Sequence, residues 1–194
     1  MMRKGLIVSI GVILLFCGTS FAQTTNDESI VGTFNGEEYS NEALGFTFKT
    51  PLKWYLPTKD QITKYIGKEV NKYEKIEFVI SKKKIDAPEN TVLGYSLMKQ
   101  PSSQITARMV AESTKVYFLK NPDFRLTKDI ATERLGGREF VTFEMGFISF
   151  PKQSVRIYMI MSDVYLITFA LTYWDNDGLK EMMDSLNTIK FQSK

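Results

Sequence analysis

Between residues 125 and 173 the chain runs through four strand-length stretches separated only by turn signals, and the last two are largely apolar on both faces. The stretches are 125–135, 138–150, 154–161 and 164–173, joined by Gly136-Gly137, Pro151-Lys152-Gln153 and Ser162-Asp163, connections short enough for tight hairpins. In the third, Val155, Ile157, Met159 and Met161 form one face while Tyr158 and Ile160 lie on the other. In the fourth, Tyr165, Ile167, Phe169 and Leu171 oppose Val164, Leu166 and Ala170. An antiparallel sheet with one wet face alternates apolar and polar residues, so these strands need cover on both sides. The expected class is therefore α+β, an antiparallel sheet covered by helices on both faces, that is, an α/β/α sandwich.

The remaining pattern supplies the covers. Leu179, Met182, Met183 and Leu186 recur at helical spacing after Asp175 and Asp177, whose charges favour a helix N-terminus, and residues 188–191 return as a short strand. Pro101-Ser102-Ser103 opens another helix with Ile105, Met109, Val116 and Leu119 expected to face the sheet, ended by Asn121-Pro122. Thr58-Lys59-Asp60-Gln61 matches a capping box ahead of Ile62, Tyr65, Ile66, Val70 and Tyr73. Between those two helices, Ile76, Phe78 and Ile80 alternate and 91–98 resumes an apolar run, which reads as two strands around a polar loop. Upstream, residues 37–50 read as one half-buried strand, with Leu44, Phe46 and Phe48 inward, stopped by Pro51. Residues 23–36 read as a flexible leader, and 37–194 as one domain without internal repeats.

The first 22 residues have the three parts of a signal peptide: the basic Arg3-Lys4, an eleven-residue apolar run from Leu6 to Phe16, and the small-x-small site Ser20-Phe21-Ala22. Lipid attachment at Cys17 is the alternative, disfavoured because Phe16 stands where a lipobox has a small residue. The expected location is periplasmic or secreted, with no stable membrane span after cleavage. Removing 22 of the 194 residues, Arg3 and Lys4 among them, leaves 172 residues with 23 basic and 22 acidic side chains. This balance gives no support to nucleic-acid binding, and the one basic cluster, Lys82-Lys83-Lys84, reads as a solvated loop.

There is no histidine, and Cys17 is the only cysteine. The cleaved chain thus has no thiolate nucleophile, no intramolecular disulfide, no Ser-His-Asp triad and no imidazole or thiolate metal ligand. Catalysis near neutrality would require a strongly shifted carboxylate, lysine or tyrosine. Ser81 with Lys84 and Ser149 with Lys152 match S-x-x-K, but the companion motifs of penicillin-recognising enzymes are absent. Asp175-Asn176-Asp177-Gly178 begins like a calcium loop, yet Leu186 stands where its closing Glu belongs, so both Asp residues read as helix caps. The expectation is a non-enzyme with no catalytic residue, no metal and no cofactor.

Two segments carry a family resemblance. The first is Glu38-Tyr39-Ser40-Asn41-Glu42-Ala43-Leu44-Gly45-Phe46-Thr47-Phe48-Lys49-Thr50-Pro51-Leu52-Lys53-Trp54. The second is Tyr165-Leu166-Ile167-Thr168-Phe169 with the helix through Met183, Ser185 and Leu186 to Ile189-Lys190-Phe191. They resemble the PsbP-like superfamily, whose members open with a Gly-Phe-x-Phe strand and a Pro-x-x-Trp corner and close with a strand, a Ser-Leu or Ser-Phe helix and a short strand. The resemblance implies an α/β/α sandwich and a protein that assists or binds partners rather than catalyses. This chain departs from the usual corner at Lys53, where Gly commonly precedes the Trp, so no functional residue is carried over.

The candidate binding residues are Trp54, Tyr55 and Trp174, aromatics at the corner and before the last helix, with core packing as their competing use. The expected function is that of an exported non-catalytic envelope protein that binds or assists another, unidentified envelope protein. The alternative is a carrier of a small apolar or lipid-like ligand, motivated by the aromatics and by methionines such as Met98, Met109, Met159 and Met182.

Overall fold

Gly136 and Gly137 both have positive φ, 56° and 81°, so Leu135 and Arg138 face each other across a two-residue loop. A turn of that hand needs φ above zero at both central positions, which only glycine adopts without steric cost. Such tight reversals fix the antiparallel order. The computed structural model describes residues 30–66 and 75–192. The expected signal peptide, Cys17, the beginning of the leader, and Val70 and Tyr73 lie outside the described residues.

The elements are β1 (Thr33–Asn35), β2 (Glu38–Asn41), β3 (Phe46–Lys49), α1 (Lys59–Ile66), β4 (Lys75–Ser81), β5 (Val92–Lys99), α2 (Ala107–Leu119), β6 (Phe124–Leu135), β7 (Arg138–Phe147), β8 (Ser154–Ser162), β9 (Tyr165–Tyr173), α3 (Asn176–Leu186) and β10 (Lys190–Phe191). They build a six-stranded sheet in the order β4-β5-β9-β8-β7-β6 and a four-stranded sheet in the order β1-β2-β3-β10. Every strand pairing in both sheets is antiparallel.

The alternation of side chains divides the interior in two. Phe143, Met145, Val155, Ile157, Met159 and Ala170 enter one core with Ile62 of α1 and Ala107, Ala111 and Phe118 of α2. Tyr95, Tyr158, Ile167, Phe169 and Leu171 enter the other with Tyr39, Phe46 and Phe48 of the small sheet and Met182 and Leu186 of α3. The central strands are thus buried on both faces, as their composition demands. On the second face the cover is shared between α3 and the four-stranded sheet.

Four local readings are corrected. Residues 37–50 form a hairpin, not one strand: the buried Asn41 side chain accepts the Leu44 N–H at 2.9 Å and Gly45 takes a φ of 66°. Thr33–Asn35, within the expected leader, pairs with β2 as a strand. A bulge at Glu77 sets Ile76 opposite Ser96 and Phe78 opposite Tyr95, so Ile76 joins the first core and Phe78 and Ile80 the second. The second helix starts after Thr106, whose hydroxyl accepts the Met109 N–H at 3.2 Å, and it turns a different face inward. Ala107, Ala111, Thr114 and Phe118 are buried, whereas Met109 is 58% exposed and Val116 53%. Small residues let the helix approach the sheet closely, and the bulky stripe is left outside.

Other features match the pattern. The capping box closes as expected, with Gln61 N–H donating to Thr58 Oγ1 at 3.3 Å and Thr58 N–H to Gln61 Oε1 at 2.9 Å. Asp175 caps α3, accepting the Gly178 N–H at 2.7 Å. In the same helix the Ser185 hydroxyl donates to the Lys49 carbonyl and Leu186 is fully buried, tying α3 to the end of β3. Leu186→Ala should therefore cost about 2 to 5 kcal/mol in denaturant unfolding. A loss below roughly 0.5 kcal/mol, typical of a surface position, would contradict this role for α3.

Candidate functional site

Pro51 ends the four-stranded sheet's third strand, and the chain must then turn sharply to reach the edge of the large sheet. It does so through Lys53, whose φ of 63° lies in the left-handed region, with Trp54 N–H donating to the Pro51 carbonyl at 3.4 Å. This is the position at which the resemblance leads one to expect glycine. The lysine holds the turn at a steric cost of about 1 to 2 kcal/mol.

The turn presents Trp54 and Tyr55. The Trp54 ring packs on the core between the sheets, and its Nε1 donates to Glu181 Oε2 of α3 at 3.1 Å. Glu181 Oε1 accepts from Lys82 Nζ at 2.6 Å, so one carboxylate joins the corner, the last helix and the chain just after β4. The Lys82 hydrogen bond, aided by that from Trp54, keeps the Glu181 carboxyl below the usual carboxylate range. Tyr55 pairs with Ser81 through two backbone hydrogen bonds of 2.7 and 2.9 Å, and its hydroxyl donates to Gln61 Oε1 at 2.9 Å. Around this fixed backbone Leu52 is 70% exposed and Leu56 46%. The outcome is a rigid corner displaying apolar side chains with half-buried aromatics between them, an arrangement that costs little ordering entropy on association.

Trp174 is not part of that corner. Its ring meets Phe150 edge-on, with centroids 6.0 Å apart, and Phe150 packs on the core covered by α1 and α2. The structure brings together two of the three aromatics singled out from sequence and sets the third on a different core. Asp175 and Asp177 lie at the start of α3, where Asp175 is the cap. Among the described residues no three acidic or cysteine side chains converge on a common point.

One polar cluster escaped the sequence reading. Glu144 and Arg156 are register partners on β7 and β8, with Arg156 Nε and Nη2 at 2.8 and 2.7 Å from Glu144 Oε2. Thr127 Oγ1 donates to Glu144 Oε1 at 3.0 Å, and nearby the Tyr158 hydroxyl donates to Glu133 at 2.8 Å. Burial pushes the Glu144 carboxyl up, but hydrogen bonds from Tyr173, Arg156 and Thr127 together outweigh it and hold it below its ordinary value. Burial raises Tyr158 to about 12. A carboxylate held ionised against an arginine, beside a phenol held protonated, is a structural pair and a poor general base. Its signal in the sequence is the opposite charge at facing positions of two otherwise apolar strands.

No protein-family model matches the sequence, and no curated protein matches it. Solved structures do share the fold. Cyanobacterial PsbP (CyanoP) from Synechocystis sp. PCC 6803 superposes with a TM-score of 0.54 at 15% identity, over 88% of this chain and 98% of that one. LpqN of Mycobacterium tuberculosis, described as involved in cell envelope biogenesis, superposes with a TM-score of 0.52 at 12% identity, over 76% of this chain and 83% of that one. The fold is PsbP-like. At the corner, Lys53→Gly should raise stability by about 1 kcal/mol, read as a shifted denaturation midpoint at unchanged slope, because glycine adopts this φ freely. A destabilised variant would mean that the corner is held in another conformation.

Proposed function

We propose that the protein is an exported, non-catalytic envelope protein that binds or assists another protein through the corner at residues 52–56. The observation that carries this reading is the exposure of Leu52 and Leu56 around Trp54 and Tyr55, which are hydrogen-bonded to Glu181 and Ser81, with Glu181 in turn paired to Lys82. Interfaces concentrate their energy in Trp and Tyr surrounded by contacts that exclude water. The reading is supported by the near-even charge of the chain after the expected cleavage, by the absence of histidine and by the expected signal peptide. The shared fold with LpqN, itself described as involved in cell envelope biogenesis, supports an envelope setting. Among the described residues no helix is long and apolar enough to cross a membrane.

A second reading, carriage of a small apolar ligand, draws on a groove of about 290 Å³ at the end of α2, lined by Tyr117, Phe118, Lys120, Asn121 and Phe124. This is near the lower limit for ligand pockets. Photocrosslinking distinguishes the two readings. A benzophenone amino acid at Leu52 should give one discrete adduct in cells, and adding Leu56→Glu to the Leu52 probe should prevent it while stability changes by less than about 0.5 kcal/mol. The same probe at the exposed Glu139 should give none. No discrete corner adduct, together with a lipid recovered by organic extraction, would reverse the order of the two readings.

A further inference from the structure

Where the two sheets splay apart at the tips of three hairpins, a polar cleft of about 290 Å³ opens, lined by Glu42, Gly45, Arg138, Ser162, Asp163 and Gln192. It shares no residue with the corner. Gly45 shapes one wall: its φ is 66°, and its carbonyl accepts the Gln192 N–H at 2.8 Å, clipping the β2–β3 turn to the chain after β10. Arg138 begins β7, and its guanidinium carbon lies 4.2 Å from the centre of the Phe191 ring. Stacking of this kind restrains the long side chain before any ligand arrives.

The charges in the cleft do not satisfy one another. Among the described residues no carboxylate stands within ion-pair distance of Arg138, although Glu42 and Asp163 line the same space. Arg138 is half-buried, while Glu42 and Asp163 are exposed. A guanidinium offers paired donors that fit a carboxylate, and carboxylates accept from ammonium groups. A ligand that answers both carries one carboxylate and more than one amino or guanidino group, with a short chain between them. Ser162 and Gln192 add neutral hydrogen-bonding groups at the rim.

We propose that this cleft binds a free basic amino acid, its carboxylate on Arg138 and its cationic groups toward Glu42 and Asp163. One net negative charge on the cleft matches the one net positive charge of such a ligand. Because two of the three charged groups are exposed, each adds little alone, and the stacked Arg138 is the anchor.

The test is a titration of the ¹⁵N-labelled chain with L-lysine, with cadaverine and hexanoate as probes that lack the carboxylate and the amino groups respectively. L-lysine should give saturable shifts at the amides of Gly45, Ser162, Asp163 and Gln192, with a Kd on the order of 1 mM or tighter. Arg138→Gln should weaken it by about tenfold or more, and neither probe should match it. Glu42→Gln with Asp163→Asn, at exposed positions that leave the Phe191 stacking intact, should weaken L-lysine while leaving hexanoate unchanged. That pair keeps the test decisive if loss of Arg138 perturbs folding. Absence of saturable shifts, or equal affinity in the parent and the Glu42/Asp163 variant, would overturn the assignment.

Discussion

The structure depends on strands β8 and β9 being apolar on both faces. No single layer can satisfy such strands, because each face presents a row of large side chains that must leave water. The solution is asymmetric. One face receives α1 and α2, with Ala107 and Ala111 at the contact, and the other receives α3 beside a second sheet. The second interface is largely aromatic: Tyr39, Phe46 and Phe48 from the small sheet interleave with Phe78, Tyr95 and Phe169 from the large one, their ring centroids 4.9 to 6.4 Å apart. At these separations, edge-on and tilted pairs add specific attraction to the burial itself.

The corner and the cleft both follow from this second interface. The small sheet must be joined to the large one after β3, and that junction is the turn at Lys53 with Trp54 and Tyr55. It must also end against the last strand, and where β10 stops, the hairpin tips no longer touch, which opens the cleft around Arg138. The candidate sites therefore lie at the margins of the packing between sheets, where backbone positions are fixed by the core but side chains remain accessible.

The four hairpin strands from 124 to 173 were readable because a period of two and double-glycine or Ser-Asp turns are local signals that tertiary contacts did not override. The last helix was readable for the same reason, since Asp175 and the stripe through Met182 and Leu186 agree. Helix α2 misled because hydrophobicity alone ranks Met109 and Val116 above Ala111, whereas the sheet selected the residues that permit close approach. The β2–β3 hairpin was missed because its turn is made by a side-chain bond from Asn41, which no periodicity reports. The small sheet as a cover could not be inferred from short strands whose partners lie more than a hundred residues away, such as Phe46 and Phe191. Of the site, the pairing of Trp54 with Tyr55 was visible as adjacency in sequence, but its clamp through Glu181 and Lys82 is purely tertiary.

A double-mutant cycle on Phe48 and Phe169 tests the aromatic interface between the sheets directly. The rings meet edge-on with centroids 5.7 Å apart, one from each sheet. If the small sheet is a packed cover, Phe48→Ala and Phe169→Ala should couple in denaturant unfolding by about 0.5 to 1.5 kcal/mol. Additivity within roughly 0.3 kcal/mol would mean that the two rings act independently, and would contradict the account of how the second face is closed.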